Sequence, residues 1–544
     1  MTTILKSNRW LLLLLVIFIF TRFLGLDQLY HQDEYRWVSI ANTTEFGQLD
    51  APHPPVMKNL LSLGGKLLGY DNLRAVPFIF SILNLLLIYV VSLRITGNKK
   101  IAYLASGLYV INVYSLIANL MIDIDGALLP FFVLLTYYLY SRSVKDGDRK
   151  FLLPLVVVVI AGFLTKLSFI LFAGALAVEY LLVLYEGGKL KADFKKLLYL
   201  FGGVAVSAAA IYIYYGSSHP GFVEYTIGRF NTFNFGSRAY FELFLRLFKF
   251  FIWFSPLLFL PMVYGLFRKD FFTKYRLWYI YSLFNFLFYL VIFDFARLPI
   301  ERYFMFIIAP AVIISGHVIY SLLPGLNKKR LFLSILGFAV LLTFTFLITY
   351  DIVPLNPKEA YVNKVKNLDF NFLIPLTGGS GPIGFYVSAQ FVLWAWIVGF
   401  LWLLFNKKKW VICFFVVFGV GYNVLLSSEN LAGAFYGSVN NITKMSVEYV
   451  INDKEIDGVV TYYDAGVYYL KIADKYIGRF YTAPSRDYSP RITAHRGHYM
   501  IVDFPAVDKD GLYWKLISRC ELAQKFTDKY VDSYIFDCRS LPAS

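Results

Sequence analysis

The sequence lacks most of the features that mark the common soluble classes. It has three cysteines in 544 residues, and no Cys/His cluster at metal-ligand spacing. His495 and His498 form an isolated pair with no cysteine or second pair nearby, which is too little for a zinc site. There is no internal repeat and no long low-complexity tract. The glycine-rich run TGGSGP (377–382) is too short and in the wrong context for a phosphate-cradling loop, and it reads as a flexible turn. No long stretch alternates apolar and polar residues as membrane-barrel strands do, so a barrel is disfavoured. Cys413 lies within an apolar run and reads as an inert core residue. Cys520 and Cys538 lie in a polar tail, and whether they pair depends on that tail lying outside the cell.

What the chain has is apolar runs. It is 58% hydrophobic and 19% aromatic, with a mean hydropathy of +0.57. The runs are long enough to span a bilayer, which takes about 20 helical residues. Backbone groups in lipid must be paired internally, so the spans are expected to be helices. Spans are expected at Trp10–Leu24, Arg74–Leu93, Ile101–Leu120, Gly126–Tyr140, Phe151–Leu164, Ser168–Tyr185, Leu197–Tyr215, Leu247–Phe267, Leu277–Phe293, Tyr303–Leu323, Leu331–Tyr350, Tyr386–Phe405 and Trp410–Leu426. That makes about thirteen spans. No small-residue cleavage site follows the first run, which therefore reads as a retained span rather than a signal peptide. Arg22 near its end is the kind of residue that snorkels to the interface.

The net charge of +16 has a topological reading. Its Lys and Arg gather in short loops at 94–100, 142–150, 186–196, 267–276, 326–330 and 406–409, on the side of the basic N-terminus. The positive-inside rule makes that side cytoplasmic, and no nucleic-acid partner is expected. The opposite, extracytoplasmic side then receives the first loop (about 25–73), the 216–246 and 351–385 segments and the C-terminal tail. After residue 426 the composition turns soluble. Strands are expected at Val459–Tyr463, Tyr476–Tyr481, Tyr499–Phe504 and Tyr534–Cys538, and helices at Ala465–Ala473 and Lys515–Ser518. The expected architecture is an α-helical polytopic membrane protein over 1–426 with a small extracytoplasmic α/β domain over 427–544.

Ionisable residues near membrane depth cost about 2.5–3.5 kcal/mol each, which makes them functional candidates. Asp33 and Glu34 open the first outer loop. They suit general-base work on an attacking hydroxyl, and the plain alternative is the N-terminal turn of a helix starting near Tyr35. His53-Pro54-Pro55 and Lys58 follow, either a proline-ordered phosphate or sugar contact or a stiffened helix start. Asp123 and Asp125 sit between two spans, Lys166 in the short turn TKLS, and Arg297, Glu301, Arg302 and Tyr303 at the start of a later span. These cations suit a phosphate, and snorkelling is the plain alternative. Asn42-Thr43-Thr44 and Asn441-Ile442-Thr443 match glycosylation acceptors, a short and common pattern.

The first-loop acids and the segment HPPVMKNLLSLGGKLLGYDNLRAVPFIFSIL (53–83) resemble the multi-span glycosyltransferases of GT-C type that use polyprenyl-phosphate sugars. Within that superfamily the resemblance is to the protein O-mannosyltransferases and the lipid A aminoarabinose transferase. Asp125-Gly-Ala-Leu, the stretch Gly162–Ser168 with Lys166, and Arg302-Tyr303 before Pro310 resemble further family elements. The detailed resemblance covers about the first 170 residues. It implies Asp33 as base with Glu34 in support, and His53, Lys58, Asp125, Lys166, Arg297, Arg302 and Tyr303 at the donor.

The expected reaction is inverting transfer of a hexose such as mannose from a polyprenyl- or dolichyl-phosphate donor to a hydroxyl. A protein acceptor comes first and a cell-surface glycolipid second, at the outer face of the cell membrane. No metal ligand set is assigned; no cofactor is firm, and a divalent cation is left open. A lipid-linked sugar flippase is the rival from another class. It calls for charges at mid-membrane and a repeat.

Overall fold

A computed structural model describes residues 8–31, 33–43, 54–188, 239–292, 300–324, 327–354, 359–376, 383–479, 495, 497–504 and 506–540, with isolated residues between 202 and 217. The chain divides into two compact units. The first is Met1–Leu26 with Trp37–Gly325, and the second is Asp27–Arg36 with Leu326–Ser544.

The first unit is helical because its apolar runs leave the backbone no other partner in lipid. Helices cover Arg9–Phe23, Pro55–Leu68, Ala75–Thr96, Lys99–Ile111, Val113–Leu120, Leu129–Tyr140, Leu152–Thr165 and Phe169–Glu186. Tyr240–Phe254, Pro256–Leu266, Lys269–Leu287 and Ile308–Leu322 complete the larger ones. Across the whole chain, among the described residues, seven helices are long and apolar enough to cross a membrane, or nine if two bent pairs each count as one span. Several expected spans form shorter helices, and most of the expected 197–215 span lies outside the described residues.

Two expected spans are broken. Ile101–Leu120 bends by 68° at Asn112, whose side chain accepts from Ser115 N and so starts a new helix. Leu247–Phe267 bends by 99° at Ser255, held at φ 63° before Pro256. Proline disfavours the helical region for the residue before it, so the break has a local cause.

Close packing in this unit rests on small residues. A Cβ on Gly316 would lie 2.9 Å from Ala105 Cα, so the Ile308–Leu322 helix meets the Lys99–Ile111 helix backbone to backbone. Arg22 does not snorkel. It is fully buried, and its Nη1 donates to Val110 O at 2.6 Å, capping orphan carbonyls at the end of the Lys99–Ile111 helix. Large apolar side chains are exposed along Arg9–Phe23 and Leu152–Thr165, and along Lys328–Phe346 of the second unit. Such faces need a lipid solvent.

The second unit carries the apolar helices Lys328–Phe346, Ala389–Leu404 and Lys409–Ala432. Between the first two, the 351–388 stretch forms a three-stranded sheet of β1 (Asp351–Ile352), β2 (Phe372–Leu376) and β3 (Phe385–Ser388). Tyr386–Ser388 is therefore strand, where a span was expected to begin.

The tail folds as a five-stranded sheet in the order β5-β4-β6-β8-β7. These are β4 (Val459–Thr461), β5 (Tyr476–Arg479), β6 (His498–Val502), β7 (Glu521–Asp528) and β8 (Val531–Asp537). β4 is parallel to β5 and β6, whereas β6–β8 and β7–β8 are antiparallel. The expected strands appear within a few residues, together with β7, which composition did not announce. Val459–Ile472 supplies a strand, a turn and a helix, as βα units do. Cys520 and Cys538 are disulfide-bonded, with Cα atoms 4.8 Å apart.

Candidate functional site

The first unit holds a buried cluster of four charges. It is built at the join between the Val113–Leu120 helix and the wide helical turn Ile124–Leu128. Asp123 caps that turn, its Oδ1 accepting from Asp125 N at 3.3 Å. Gly126 lets the turn close on its neighbour, because a Cβ there would lie 2.2 Å from Ala118 O. Asn84 fixes the turn from the Ala75–Thr96 helix, donating to Ala127 O at 2.8 Å, and Arg74 donates to Leu120 O at 2.8 Å. Asn84 and Arg74 are fully buried, so both are committed to this scaffold.

On that scaffold the two carboxylates meet two cations. Lys166 Nζ lies 2.6 Å from both oxygens of Asp125. Arg302 Nη1 donates to Asp123 Oδ2 at 3.0 Å, and its Nε lies 3.9 Å from Asp125 Oδ2. Arg302 Nη2 donates to the Tyr303 hydroxyl at 2.5 Å. The Tyr303 ring carries both cations on its face, Lys166 Nζ at 5.0 Å and Arg302 Cζ at 4.5 Å from its centroid. Tyr289 stands behind it, ring to ring at 5.6 Å.

The side chains of Asp123, Asp125, Lys166 and Arg302 are 6%, 4%, 17% and 12% exposed, so these are buried pairs rather than surface bridges. Two acids balance two cations, which lets the set exist away from water without an uncompensated charge. Each cation is held at a fixed point, the arrangement that stabilises negative charge as it develops. The snorkelling alternative for Lys166 and Arg302 does not describe them.

The remaining sequence candidates fall elsewhere. Lys58 is buried in the first unit, in the opening turn of the Pro55–Leu68 helix, whose N1 position Pro55 takes. His53 and Arg297 lie outside the described residues. Glu301 is in the short Ile300–Tyr303 helix. Among the described residues no three His, Cys, Asp or Glu side chains gather as a metal would need.

Asp33 and Glu34 belong to the second unit, at the first turn of the Asp33–Thr43 helix. Glu34 is fully buried, and its Oε2 accepts from His31 N at 3.3 Å, a capping contact of the kind acids make at helix starts. Asp33 is half-buried. The residues before it are tied into the C-terminal fold. Gln28 Nε2 donates to Asn430 O at 3.0 Å, Leu29 N to Asn440 Oδ1 at 2.9 Å, and Gly466 N to Tyr30 O at 3.2 Å.

The turn after β4 supplies a third acid, Asp464, whose Oδ2 accepts from Arg479 Nη1 at 2.7 Å. Burial raises the Asp464 carboxyl above the usual range; Arg479 opposes that and the Asp33 charge adds to it. Composition gave no reason to pick Asp464, Arg479, Asn84 or Arg74. The available signal for Asp464 was the run Tyr-Tyr-Asp-Ala-Gly, an acid on a glycine turn between a strand and a helix.

Comparisons with known proteins bear on both units. Residues 52–214 match the family model described as dolichyl-phosphate-mannose-protein mannosyltransferase. No curated protein matches the chain. Among solved structures, ArnT from Cupriavidus metallidurans in the apo state aligns with 99% of this chain and 100% of its own, at a TM-score of 0.54 and 14% identity. The archaeal oligosaccharyltransferase AglB from Archaeoglobus fulgidus, in complex with an inhibitory peptide and a dolichol-phosphate, aligns with 99% of this chain and 75% of its own. Its TM-score is 0.45 at 11% identity, too slight a likeness to argue from. In sequence over residues 52–214, and in fold over nearly its whole length, the chain resembles the multi-span membrane glycosyltransferases of GT-C type.

Proposed function

We propose that the chain is an inverting glycosyltransferase that moves a hexose, mannose in the first instance, from a polyprenyl- or dolichyl-phosphate donor to a hydroxyl. The preferred acceptor is a protein Ser or Thr at the outer membrane face. One observation carries the reading. Asp123, Asp125 and Lys166 of the buried charge cluster lie inside the segment that matches the mannosyltransferase model, and Arg302 completes the cluster from outside it.

In this reading the acceptor oxygen attacks the anomeric carbon as the bond from that carbon to the phosphate oxygen breaks. The hydroxyl proton passes to Asp33, and the lipid phosphate leaves with the bonding pair. Lys166 and Arg302 stabilise the charge that grows on it. Lys166 has three donors and Arg302 five, so holding the acids does not exhaust either. A single base with in-line displacement inverts the anomeric centre, unlike the covalent two-carboxylate route.

The test is transfer by the purified full-length protein in liposomes from a labelled polyprenyl-phosphate mannose to Ser/Thr peptides. The expected product is a labelled peptide of inverted configuration. Label on a glycolipid instead would keep the reaction and change the acceptor. Label that crosses the bilayer still bound to its lipid would replace the enzyme with a flippase.

A further inference from the structure

The resemblance that singles out Asp33 comes from the first loop alone, and it leaves open what holds that residue. The 463–466 turn supplies two contacts to the residues before Asp33, with an ion pair between them. Tyr463 stacks on His31 with ring centroids 4.6 Å apart, Gly466 N donates to Tyr30 O at 3.2 Å, and between them Asp464 pairs with Arg479 at 2.7 Å. The next helix extends the grip, with Tyr468 and Tyr469 packing on Tyr30 at 5.3 and 5.7 Å. Lys471 Nζ lies 5.4 Å from the Tyr35 ring centroid. The turn can sit this close because Gly466 takes φ +80° and a Cβ there would lie 2.5 Å from Val447. Residues 30, 31 and 35 are thus fixed on both sides of Asp33, and the buried Asp464 feels the Asp33 charge.

We propose that Asp464, held by Arg479, is a positioning residue for the transfer, setting the electrostatic surroundings and the placement of Asp33. This rests on Asp33 being the base. The charges that act on Asp464 are Asp33 on the first-loop helix, Arg479 on β5 and Lys471 on the Val467–Ile472 helix, and its neighbour Tyr463 stacks on His31. Two acids side by side hold a proton more tightly than one alone, and Arg479 tempers that effect.

The test uses the full-length protein with Asp464→Asn, Arg479→Ala and Arg479→Lys. Transfer is followed against pH with the labelled polyprenyl-phosphate donor. With Asp464→Asn the acidic limb of the rate profile should move down by about one pH unit, and with Arg479→Ala it should move up by a similar amount. Arg479→Lys should restore the wild-type limb, while the KM for the donor stays within about twofold in all three. A fall in rate with no movement of the limb would reduce Asp464 to a structural role and overturn the proposal. The second measurement needs no turnover. It is an infrared titration of carboxylates in ¹³C-aspartate-labelled protein, with the Asp33 band assigned by its loss in Asp33→Asn. That band should titrate at lower pH in Asp464→Asn, and an unchanged band refutes the coupling even if the wild-type protein transfers no sugar. Absent transfer with a shifted band would overturn the glycosyltransferase reading and leave the coupling standing.

Discussion

The two charged clusters are assembled differently. In the first unit, Asp123 and Asp125 are matched one for one by Arg302 and Lys166, and the pairs are buried behind a tyrosine face. In the second, the buried Asp464 is paired with Arg479 alone and also feels the charges of Asp33 and Lys471. Balanced charge suits a site that must wait, dry, for an anion and then bear more negative charge as a phosphate departs. One acid set beside another suits a site that must take up a proton. On the proposed reading the three residue types they share, Asp, Lys and Arg, serve different chemistry, and the charge nearest each acid separates them.

Asp33→Asn removes the proposed acceptor of the proton and puts this contrast to its hardest test. Transfer should fall by about a thousandfold, the range of general-base contributions, with insertion and folding intact. Rates near wild type in labelled-donor assays would move the base elsewhere. Lys166→Met addresses the balanced cluster and should slow transfer by about a hundredfold, as loss of one charge-stabilising donor does. It also leaves Asp125 buried without its closest cation. Thermal unfolding in detergent should therefore show a destabilisation of about 3–5 kcal/mol, which the double variant Asp125→Leu/Lys166→Met should largely recover without recovering transfer. If the double variant were as unstable as the single one, the pair would be a structural element and not a balanced charge site.

The balanced cluster was largely legible in the sequence because charge inside an apolar run is conspicuous: Asp125, Lys166 and Arg302 all stand at the ends of spans. The helices were legible for the same reason, through the length of the runs. Their breaks at Asn112 and Ser255 were not, since each lies within a continuous apolar stretch and the cause is a single cap or a single pre-proline residue. The β1–β3 sheet was missed because two of its strands are very short and its pairing is between distant residues. Asp464 was invisible for a related reason. In a polar tail an acid costs nothing by composition, and only the fold shows that this one is buried beside the first loop.

The disulfide is a weaker lever on the same contrast. It closes a separation of 18 residues from the start of β7 to just past β8, in the unit that carries Asp33 and Asp464. Replacing both cysteines by serine should destabilise that unit by about 3 kcal/mol, read as a lowered unfolding midpoint of the full chain. A loss of transfer much larger than the loss of folded protein would mean that the β7–β8 hairpin also shapes the reacting site.

The smallest expected effect comes from Asp503, an acid of the same unit with no arginine partner among the described residues. It is 5% exposed, its Oδ1 accepts from Val507 N at 2.7 Å, and Lys509 Nζ stands 3.8 Å away. Burial raises its carboxyl above the usual range, against the pull of the Val507 amide and Lys509. A raised folded value means that the fold favours the protonated form. The stability it contributes is then complete below the ordinary carboxyl range and is lost as pH rises through the raised value. Asp503→Asn keeps an oxygen for Val507 N and removes the charge, so at neutral pH the variant should unfold slightly later than wild type, with the difference vanishing in acid. Its rate profile for transfer should keep the wild-type acidic limb. Asp464 and Asp503 are both buried, upward-shifted acids at the ends of neighbouring strands, and only Asp464 is flanked by residues that grip Tyr30 and His31. If Asp503→Asn moved the limb as far as Asp464→Asn, the effect would be one of net charge on the unit, and the special placement of Asp464 beside Asp33 would no longer be needed to explain it.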